Sequence, residues 1–223
     1  MKIKALIFDL DGIITDTAQL HFYAWKEALS NYKIDFTNAE NAKFKGLSRK
    51  DTLVAILNLK KISWTNEKIE TVCFEKNQIY LKLLETIDKN FLLPGIFDLL
   101  TRAKAKNLKI GLASSSLNGT LILKKLEIYS FFDNIANPSE IRKPKPFPDI
   151  FLLAAEGLKI SPQNCLAFED SLSGFLAIKA AKMRSIVISE DKFIEFEQAD
   201  FWLNSTSEIN LDEILEKLEL FNQ

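Results

Sequence analysis

The stretch that decides the fold is Lys4-Ala5-Leu6-Ile7-Phe8-Asp9-Leu10-Asp11-Gly12-Ile13-Ile14-Thr15-Asp16-Thr17, close to the start of the chain. A short apolar run that ends at a carboxylate predicts a buried parallel strand. Asp9 and Asp11 then follow the strand at the edge where open α/β sheets bind ligands, and they point the same way because side chains alternate. Gly12 permits the tight turn that follows. Taken alone, these two aspartates are more typical of an ordinary turn than of a reactive site.

Composition limits the classes of function. The chain has 223 residues with 29 basic and 30 acidic side chains, so it lacks the strongly basic balance of a general nucleic-acid binder. Cys73 and Cys165 lie far apart, which favours buried, reduced thiols. The first apolar run is too short and too acidic for a signal peptide, and no run is long enough to cross a membrane. We therefore expect a soluble, cytoplasmic protein, monomeric, with no membrane or nucleic-acid partner.

A helical block follows the first strand. Residues 18–29 place Phe22 and Trp25 at helical spacing. A second helix is predicted after Ser48, a suitable N-cap, and a third over residues 66–87. No convincing strand interrupts this region. It is predicted to form a helical cap domain over residues 17–87, inserted into a core domain made of residues 1–16 and 88–223.

Strands and helices alternate after this block. This rhythm predicts βαβ units and a mostly parallel sheet, which the first strand must join. The expected fold class is therefore α/β, a doubly wound, Rossmann-like core with an inserted helical domain. Strands are predicted at 108–113, 135–136, 165–168 and 185–188, and helices at 95–103, 119–126, 148–157, 171–181 and 211–220.

Polar residues follow two more of these strands. Ser114, Ser115 and Ser116 lie between a strand end and a helix, where hydroxyl and backbone N–H groups can cradle a phosphate. Capping of the next helix explains these serines equally well. Glu169 and Asp170 follow the 165–168 strand and bring four carboxylates to one sheet edge. Such crowding is costly without a cation, and all-oxygen ligands near a phosphate favour Mg²⁺.

A stiff loop lies between these two sites. Four of the six prolines fall within residues 137–148, and the loop contains Arg142-Lys143-Pro144-Lys145-Pro146-Phe147-Pro148-Asp149. A stiff loop can hold one lysine at a fixed point, where it neutralises carboxylates and a transferring phosphate. For Arg142 and Lys143, we prefer a solvated basic loop. Of the two Lys-Pro-x-Pro frames, the one that starts at Lys145 is the candidate, since it alone continues into Pro148-Asp149.

The order of these motifs resembles the haloacid dehalogenase superfamily of phosphotransferases over essentially the whole chain. The resemblance is carried by Asp-x-Asp-Gly at Asp9, serine after the second strand, Lys-Pro-x-Pro-Asp at Lys145, and Glu169-Asp170. Within the superfamily the chain looks like the β-phosphoglucomutase family. That likeness is carried by the opening stretch with His21 and Trp25, by Lys45-Gly46-Leu47-Ser48-Arg49, and by residues 114–118.

The resemblance implies a set of roles. Asp9 is the nucleophile that becomes an aspartyl phosphate, and Asp11 is the general acid and base. Mg²⁺ is bound by Asp9, the backbone carbonyl of Asp11, and Asp170, with Glu169 nearby. Ser114 and Lys145 hold the transferring phosphate, and residues 15–17 form a hinge, Thr17 being counted with the catalytic residues. Contacts with the substrate, including its distal phosphate, are implied for His21, Trp25, Gly46, Leu47, Ser48, Arg49, Lys76, Ser115, Ser116 and Asn118.

Two positions, Leu117 and His21, bear on the implied activity. Leu117 stands where this family of mutases has lysine, so one contact with the distal phosphate is missing. His21 is the only histidine; an isolated helical histidine is normally a packed side chain, but its place after the opening stretch favours a site residue. The implied activity is interconversion of β-D-glucose 1-phosphate and glucose 6-phosphate through β-glucose 1,6-bisphosphate. The alternatives are a sugar-phosphate phosphatase and, far behind, a non-catalytic binding protein.

Overall fold

The computed structural model describes residues 2–220, and its centre is a parallel sheet of six strands. The strand order is β3-β2-β1-β4-β5-β6, so the first strand lies in the middle, paired with β2 and β4. This is the doubly wound α/β fold that the alternation predicts. The strands are β1 (Ala5–Phe8), β2 (Lys109–Leu112), β3 (Asn134–Ile135), β4 (Cys165–Glu169), β5 (Arg184–Ile188) and β6 (Phe201–Leu203).

Helices cover both faces of the sheet. Along β1, Leu6 and Phe8 face one layer and Ala5 and Ile7 face the other, as the pleat requires. The first layer contains α5, α6 and α9, and the second contains α7 and α8. The helices are α1 (Ala18–Ser30), α2 (Asn38–Ala42), α3 (Arg49–Leu59), α4 (Asn66–Leu83), α5 (Ile96–Ala105), α6 (Gly119–Lys125), α7 (Asp149–Leu158), α8 (Leu172–Ala180) and α9 (Leu211–Leu220).

Residues 17–87, named here the helical segment, contain α1 to α4. They enclose a hydrophobic cluster of their own, built around Phe22, Trp25, Leu53 and Val72. The predicted N-cap is confirmed, because the Ser48 hydroxyl accepts a hydrogen bond from the third residue of α3. The helical segment therefore buries apolar surface that the sheet does not cover.

The two connections between the helical segment and the sheet run side by side. Thr15 forms an antiparallel bridge with Leu92, and its hydroxyl donates to the carbonyl of Phe91 at 2.7 Å. The Leu93 N–H donates to the carbonyl of Ile14 at 3.0 Å. The segment by which the chain leaves the sheet and the segment by which it returns are therefore hydrogen-bonded to each other.

The secondary structure differs from the prediction in several details. The helix expected over 66–87 ends at Leu83 and continues as a 3₁₀ turn over Leu84–Thr86. The short helix α2 and the edge strand β6 were not predicted. Strand β6 has three residues and is specified by pairing with β5, a long-range contact that a local pattern does not show. Glu169 also belongs to β4, one residue beyond the predicted strand.

Both cysteines are free thiols and buried, as predicted. Within residues 2–220 the helices are all too short or too polar to cross a membrane.

Candidate active site

Asp9 lies directly after β1 and forms a buried ion pair. Its Oδ1 accepts a hydrogen bond from the Lys145 ammonium at 2.7 Å, and both side chains are almost completely buried. Burial raises the pKa of Asp9 to about 7; the charge of Lys145 opposes this shift and that of Glu169 adds to it. Burial by itself would lower the pKa of Lys145, but the two carboxylates hold it above its usual value. The lysine therefore stays charged and offsets the negative charge beside Asp9.

Glu169 is fully occupied by hydrogen bonds. Its Oε1 accepts from Lys145 at 2.5 Å, and its Oε2 accepts from the backbone N–H groups of Asp170 and Ser171 and from the Ser171 hydroxyl, at 2.7–2.9 Å. Four bonds use the accepting capacity of a carboxylate. Gly174 gives it room, since a Cβ there would lie 1.7 Å from Oε1. Glu169 is thus built to fix Lys145 and the loop that carries Asp170.

Asp170 completes an acidic cluster that fits a hard cation. Oxygen atoms of Asp9, Glu169 and Asp170 lie within 4.8 Å of one another, and all three residues are buried. Burial, together with the charges of Glu169 and Asp9, raises the pKa of Asp170 well above its usual value. Lys45 contributes only a partial counter-charge, its Nζ lying 3.4 Å from Asp170 Oδ2. An all-oxygen donor set with this much unrelieved charge matches the preferences of a divalent cation such as Mg²⁺.

Gly12 makes this arrangement possible. Its φ is +83°, and a Cβ at this position would lie 2.1 Å from Asp170 Oδ2. Both the left-handed backbone and the close approach of a carboxylate require glycine here.

The side chain of Asp11 is held apart from the acidic cluster. Its Oδ1 accepts from the Thr17 N–H at 2.9 Å and from the Thr17 hydroxyl at 2.5 Å. Asp11 lines the cavity, and its Oδ2 lies 3.9 Å from His21 Nε2. Burial raises the pKa of Asp11, against the two bonds from Thr17 that lower it. One of the four predicted carboxylates therefore has surroundings suited to carrying a proton instead of a cation.

The serine loop after β2 is organised by its own hydroxyls. Ser114 Oγ accepts from the Ser116 N–H at 3.0 Å, and Ser116 Oγ accepts from the Asn118 N–H at 3.2 Å. Ser115 instead donates to the carbonyl of Gly46 at 3.0 Å, and Asn118 donates to Asn77 Oδ1 at 3.0 Å. The loop thus both lines the cavity and contacts the helical segment.

Two basic groups of the helical segment, Lys76 and Arg49, act electrostatically on His21. Lys76 is buried; burial, with the charge of Arg49, lowers the pKa of Lys76 to about 7. Its Nζ lies 2.7 Å from His21 Nδ1. Burial and the charges of Lys76 and Arg49 hold the pKa of His21 well below its usual value, so the imidazole is neutral. While Lys76 is charged it can only donate, which places the ring proton of His21 on Nε2.

A cavity of about 290 Å³ lies between the sheet edge and the helical segment. Four predicted site residues, Thr17, Lys76, Lys145 and Glu169, lie behind its wall and support the side chains that form it. The predicted residues that line it directly are Asp9, Asp11, His21, Trp25, Gly46, Leu47, Ser48, Arg49, Ser114, Ser115, Ser116, Asn118 and Asp170. Leu117 also lines it.

The family model of haloacid dehalogenase-like hydrolases matches residues 6–188, which include β2 to β5 and all of β1 except its first residue. The chain belongs to this family.

Relatives within the haloacid dehalogenase-like family include mutases and phosphatases. The chain is 40% identical to β-phosphoglucomutase of Bacillus subtilis over 220 residues, 98% of this chain and 96% of that protein. It is 30% identical to the phosphorylated carbohydrates phosphatase of Thermotoga maritima, covering 82% of this chain and 83% of that one. The solved structure of β-phosphoglucomutase from Clostridium difficile superposes with a TM-score of 0.94 at 38% identity, covering 99% of both chains.

Three residues at the site of this family member escaped sequence reasoning. Tyr80 bonds Thr17, Asn77 bonds Asn118, and Lys45 pairs with Asp170. A signal existed for Tyr80: it lies four residues after Lys76, so the two share one face of α4. For Asn77 and Lys45 no local pattern exists, because their partners are distant in sequence.

Proposed function

We propose that the protein interconverts β-D-glucose 1-phosphate and glucose 6-phosphate through an aspartyl phosphate and β-glucose 1,6-bisphosphate. The observation that carries the proposal is a single cavity lined at the sheet edge by Asp9 and Asp11 and on the helical side by Arg49. A mutase must hold a phosphate at each end of the sugar, and this cavity offers a cationic or hydroxyl group at both. The relationship to β-phosphoglucomutases over nearly the whole chain supports the same activity.

The first transfer phosphorylates the enzyme. The Asp9 carboxylate attacks a phosphorus atom of the bisphosphate, the bond from phosphorus to the sugar oxygen breaks, and that oxygen takes the electron pair. Asp11 Oδ2 gives the oxygen its proton and is left as a carboxylate. Lys145 offsets charge during the attack, since a carboxylate is a weak nucleophile toward a phosphate dianion.

The second transfer is the reverse with the sugar turned around. Asp11 takes the proton from the 6-hydroxyl of an incoming β-glucose 1-phosphate, whose oxygen attacks the aspartyl phosphate. The bond from phosphorus to Asp9 breaks, Asp9 returns as a carboxylate, and the bisphosphate is formed again. Arg49, Ser116 and Asn118 would grip the phosphate that is not reacting. Shielding of the aspartyl phosphate from water is what separates this reaction from hydrolysis.

Asp9 and Asp170, with the backbone carbonyl of Asp11, would hold Mg²⁺. When bound, the ion supplies positive charge against the transferring phosphate. Glu169, predicted among the metal residues, would act beside the ion through its hydrogen bonds to Lys145 and the Asp170 backbone.

Closure of the site would involve two domains. We assign residues 17–87 to a cap domain and residues 1–16 and 88–223 to a core domain. The paired connections at Thr15 and Leu92 support a hinge at residues 15–17, because the chain leaves the sheet there and enters the segment that has a hydrophobic cluster of its own.

A sugar-phosphate phosphatase is the second candidate. Leu117 favours it, because an exposed leucine in the cavity wall replaces a cation that would hold the second phosphate. Loss of one contact leaves Arg49, Ser116 and Asn118 in place, so the mutase remains the preferred function.

The test is phosphorus NMR with Mg²⁺, β-glucose 1-phosphate and a trace of the bisphosphate. We expect a glucose 6-phosphate signal to grow as the substrate signal falls. Formation of inorganic phosphate alone would establish the phosphatase instead. We further propose that the protein acts as a cytoplasmic monomer on small sugar phosphates, without nucleic-acid partners; two free thiols and a balanced charge support this.

A further inference from the structure

We propose that Tyr80 is a positioning residue for proton transfer, acting through Thr17 to hold one oxygen of Asp11 and leave the other free to donate to the sugar oxygen. The inference rests on the proposed function, since it concerns the acid that the mutase reaction needs. Its basis is a chain of three buried or half-buried groups that ends at Asp11.

The direction of this hydrogen-bond chain follows from counting protons. The Thr17 hydroxyl has one proton and donates it to Asp11 Oδ1 at 2.5 Å. Tyr80 Oη lies 2.7 Å from the same Thr17 oxygen, so Tyr80 must be the donor in that contact. Both Thr17 and Tyr80 are completely buried. The order is therefore Tyr80 to Thr17 to Asp11, and each bond polarises the next.

This chain distinguishes the two oxygens of Asp11. Oδ1 accepts two hydrogen bonds from Thr17 and has no room for a proton of its own. Within residues 2–220, Oδ2 accepts no hydrogen bond; Asp11 lines the cavity, and Oδ2 lies 3.9 Å from His21 Nε2. The transferable proton consequently belongs on Oδ2, the oxygen that can approach a sugar.

Tyr80 also holds the neighbouring groups. Its ring stacks on His21 with the centroids 4.1 Å apart, and Lys76 Nζ lies 4.3 Å from the ring centre. Tyr80→Phe keeps both ring contacts and removes only the hydroxyl. This substitution therefore isolates the contribution of the hydrogen-bond chain.

The decisive experiment compares leaving groups. In the transfer from β-glucose 1,6-bisphosphate to Asp9, the departing sugar oxygen needs the proton of Asp11. Acetate departs from acetyl phosphate as a stable anion and needs none. With Mg²⁺ present, we expect Tyr80→Phe to slow first-turnover phosphorylation by the bisphosphate about five- to tenfold and to leave phosphorylation by acetyl phosphate unchanged, as rapid-quench measurements would show.

Tyr32→Phe is the matched control. The Tyr32 hydroxyl bonds Glu75 within the helical segment and makes no contact with the cavity wall, so neither rate should change. An equal loss with both phosphate donors would mean that Tyr80 only supports the fold. No loss with either would remove the proposed role altogether.

A double-mutant cycle tests the route. Thr17→Val removes the hydroxyl through which Tyr80 acts, so Tyr80→Phe should add nothing in that background; additive losses would overturn the proposal. Should Tyr80→Phe fail to fold, proton NMR of the unaltered protein decides: a slowly exchanging Tyr80 hydroxyl proton close to the Thr17 side chain is expected, and a rapidly exchanging one contradicts the chain.

The proposed function can fail separately. If the unaltered protein released only inorganic phosphate from sugar phosphates, the mutase would be excluded. The comparison of leaving groups would still apply to Tyr80, with the hydrolysed sugar phosphate in place of the bisphosphate.

Discussion

The two sides of the cavity use charge in opposite ways. The sheet edge gathers three buried carboxylates around one lysine, and the helical segment buries a lysine next to an arginine and a neutral histidine. The first side has an excess of negative charge that a cation relieves. On the second, the excess is positive, and a phosphate would relieve it. Each side is thus electrostatically incomplete by itself, and a metal-bound phosphate ester carries the charges that both lack.

The largest effect is expected at the sheet edge. Asp9→Asn removes the nucleophile while the amide oxygen can still accept from Lys145, so the fold should persist. Turnover of β-glucose 1-phosphate should fall by roughly 10⁴-fold or more, in a coupled glucose 6-phosphate assay. Asp35→Asn, the same change at an exposed site, should retain full activity. Substantial turnover by Asp9→Asn would disprove the assignment of the nucleophile.

Asp170→Asn tests the acidic cluster. It removes a carboxylate whose raised pKa reflects burial and like charges, so metal affinity and activity should fall more than about a hundredfold. Millimolar Mg²⁺ should raise the melting temperature of the unaltered protein and have little effect on that of Asp170→Asn, by calorimetry. If both proteins responded equally, the ion would bind elsewhere.

Arg49→Ala tests the helical side. Loss of the distal phosphate contact should slow isomerisation of β-glucose 1-phosphate roughly ten- to a hundredfold. Phosphorylation of Asp9 by acetyl phosphate, which has no second phosphate, should change far less. Arg49→Lys keeps the positive charge but lacks the planar guanidinium group, so its isomerisation rate should lie between those of the unaltered protein and Arg49→Ala. Unimpaired isomerisation by Arg49→Ala would refute the two-phosphate arrangement.

Lys76→Met tests the cost of the buried positive charge. In the folded protein the pKa of Lys76 is lowered to about 7 from 10.5. Below pH 7 the buried charge therefore lowers the free energy of unfolding by its full amount. The penalty shrinks as pH rises from 7 toward 10.5, because the folded protein no longer has to hold the proton. Lys76→Met should raise the free energy of unfolding by about 2–4 kcal/mol at pH 6.5, and much less at pH 9.5.

Urea titrations at the two pH values measure this difference. The charged and titratable groups that act on Lys76 are Arg49, Asp11 and Cys73, with His21 bonded to it. Lys82→Met, an exposed lysine of the same helix, should show no dependence of this kind. A gain that was the same at both pH values would arise from packing and not from charge.

The smallest effect is expected at Leu117. Leu117→Lys places a cation in the serine loop of the cavity wall, where the resembled mutases have one, and should lower the KM for the bisphosphate a few-fold. Leu121→Lys, a partly exposed leucine of α6 outside the cavity wall, is the control. An unchanged KM would mean that Arg49 and the serine loop already satisfy the charge and hydrogen bonds of the distal phosphate.

The two sides also differ in how well sequence predicts them. Most of the sheet edge could be predicted because its residues lie at the ends of strands, and parallel strands end at one edge. Asp9, Ser114 and Asp170 were located in this way; Lys145 was predicted instead from its stiff, proline-rich loop. On the helical side, Arg49 and Lys76 were implied by family resemblance, and Tyr80 and Asn77 were missed. Their positions depend on how helices pack, which no local pattern specifies.

The paired connections at Thr15 and Leu92 have a consequence for engineering. Since the chain leaves the sheet and returns to it at hydrogen-bonded neighbours, the helical segment begins and ends at nearly the same point. Such an insert can be exchanged as a cassette, provided that the foreign segment reproduces the contacts on which the strand ends depend. These are the hydrogen bonds of Thr17 and Tyr80 that end at Asp11, and the pairing of Lys45 with Asp170. A graft that keeps these contacts would leave the strand-end side chains in place while the rest of the cavity wall changes.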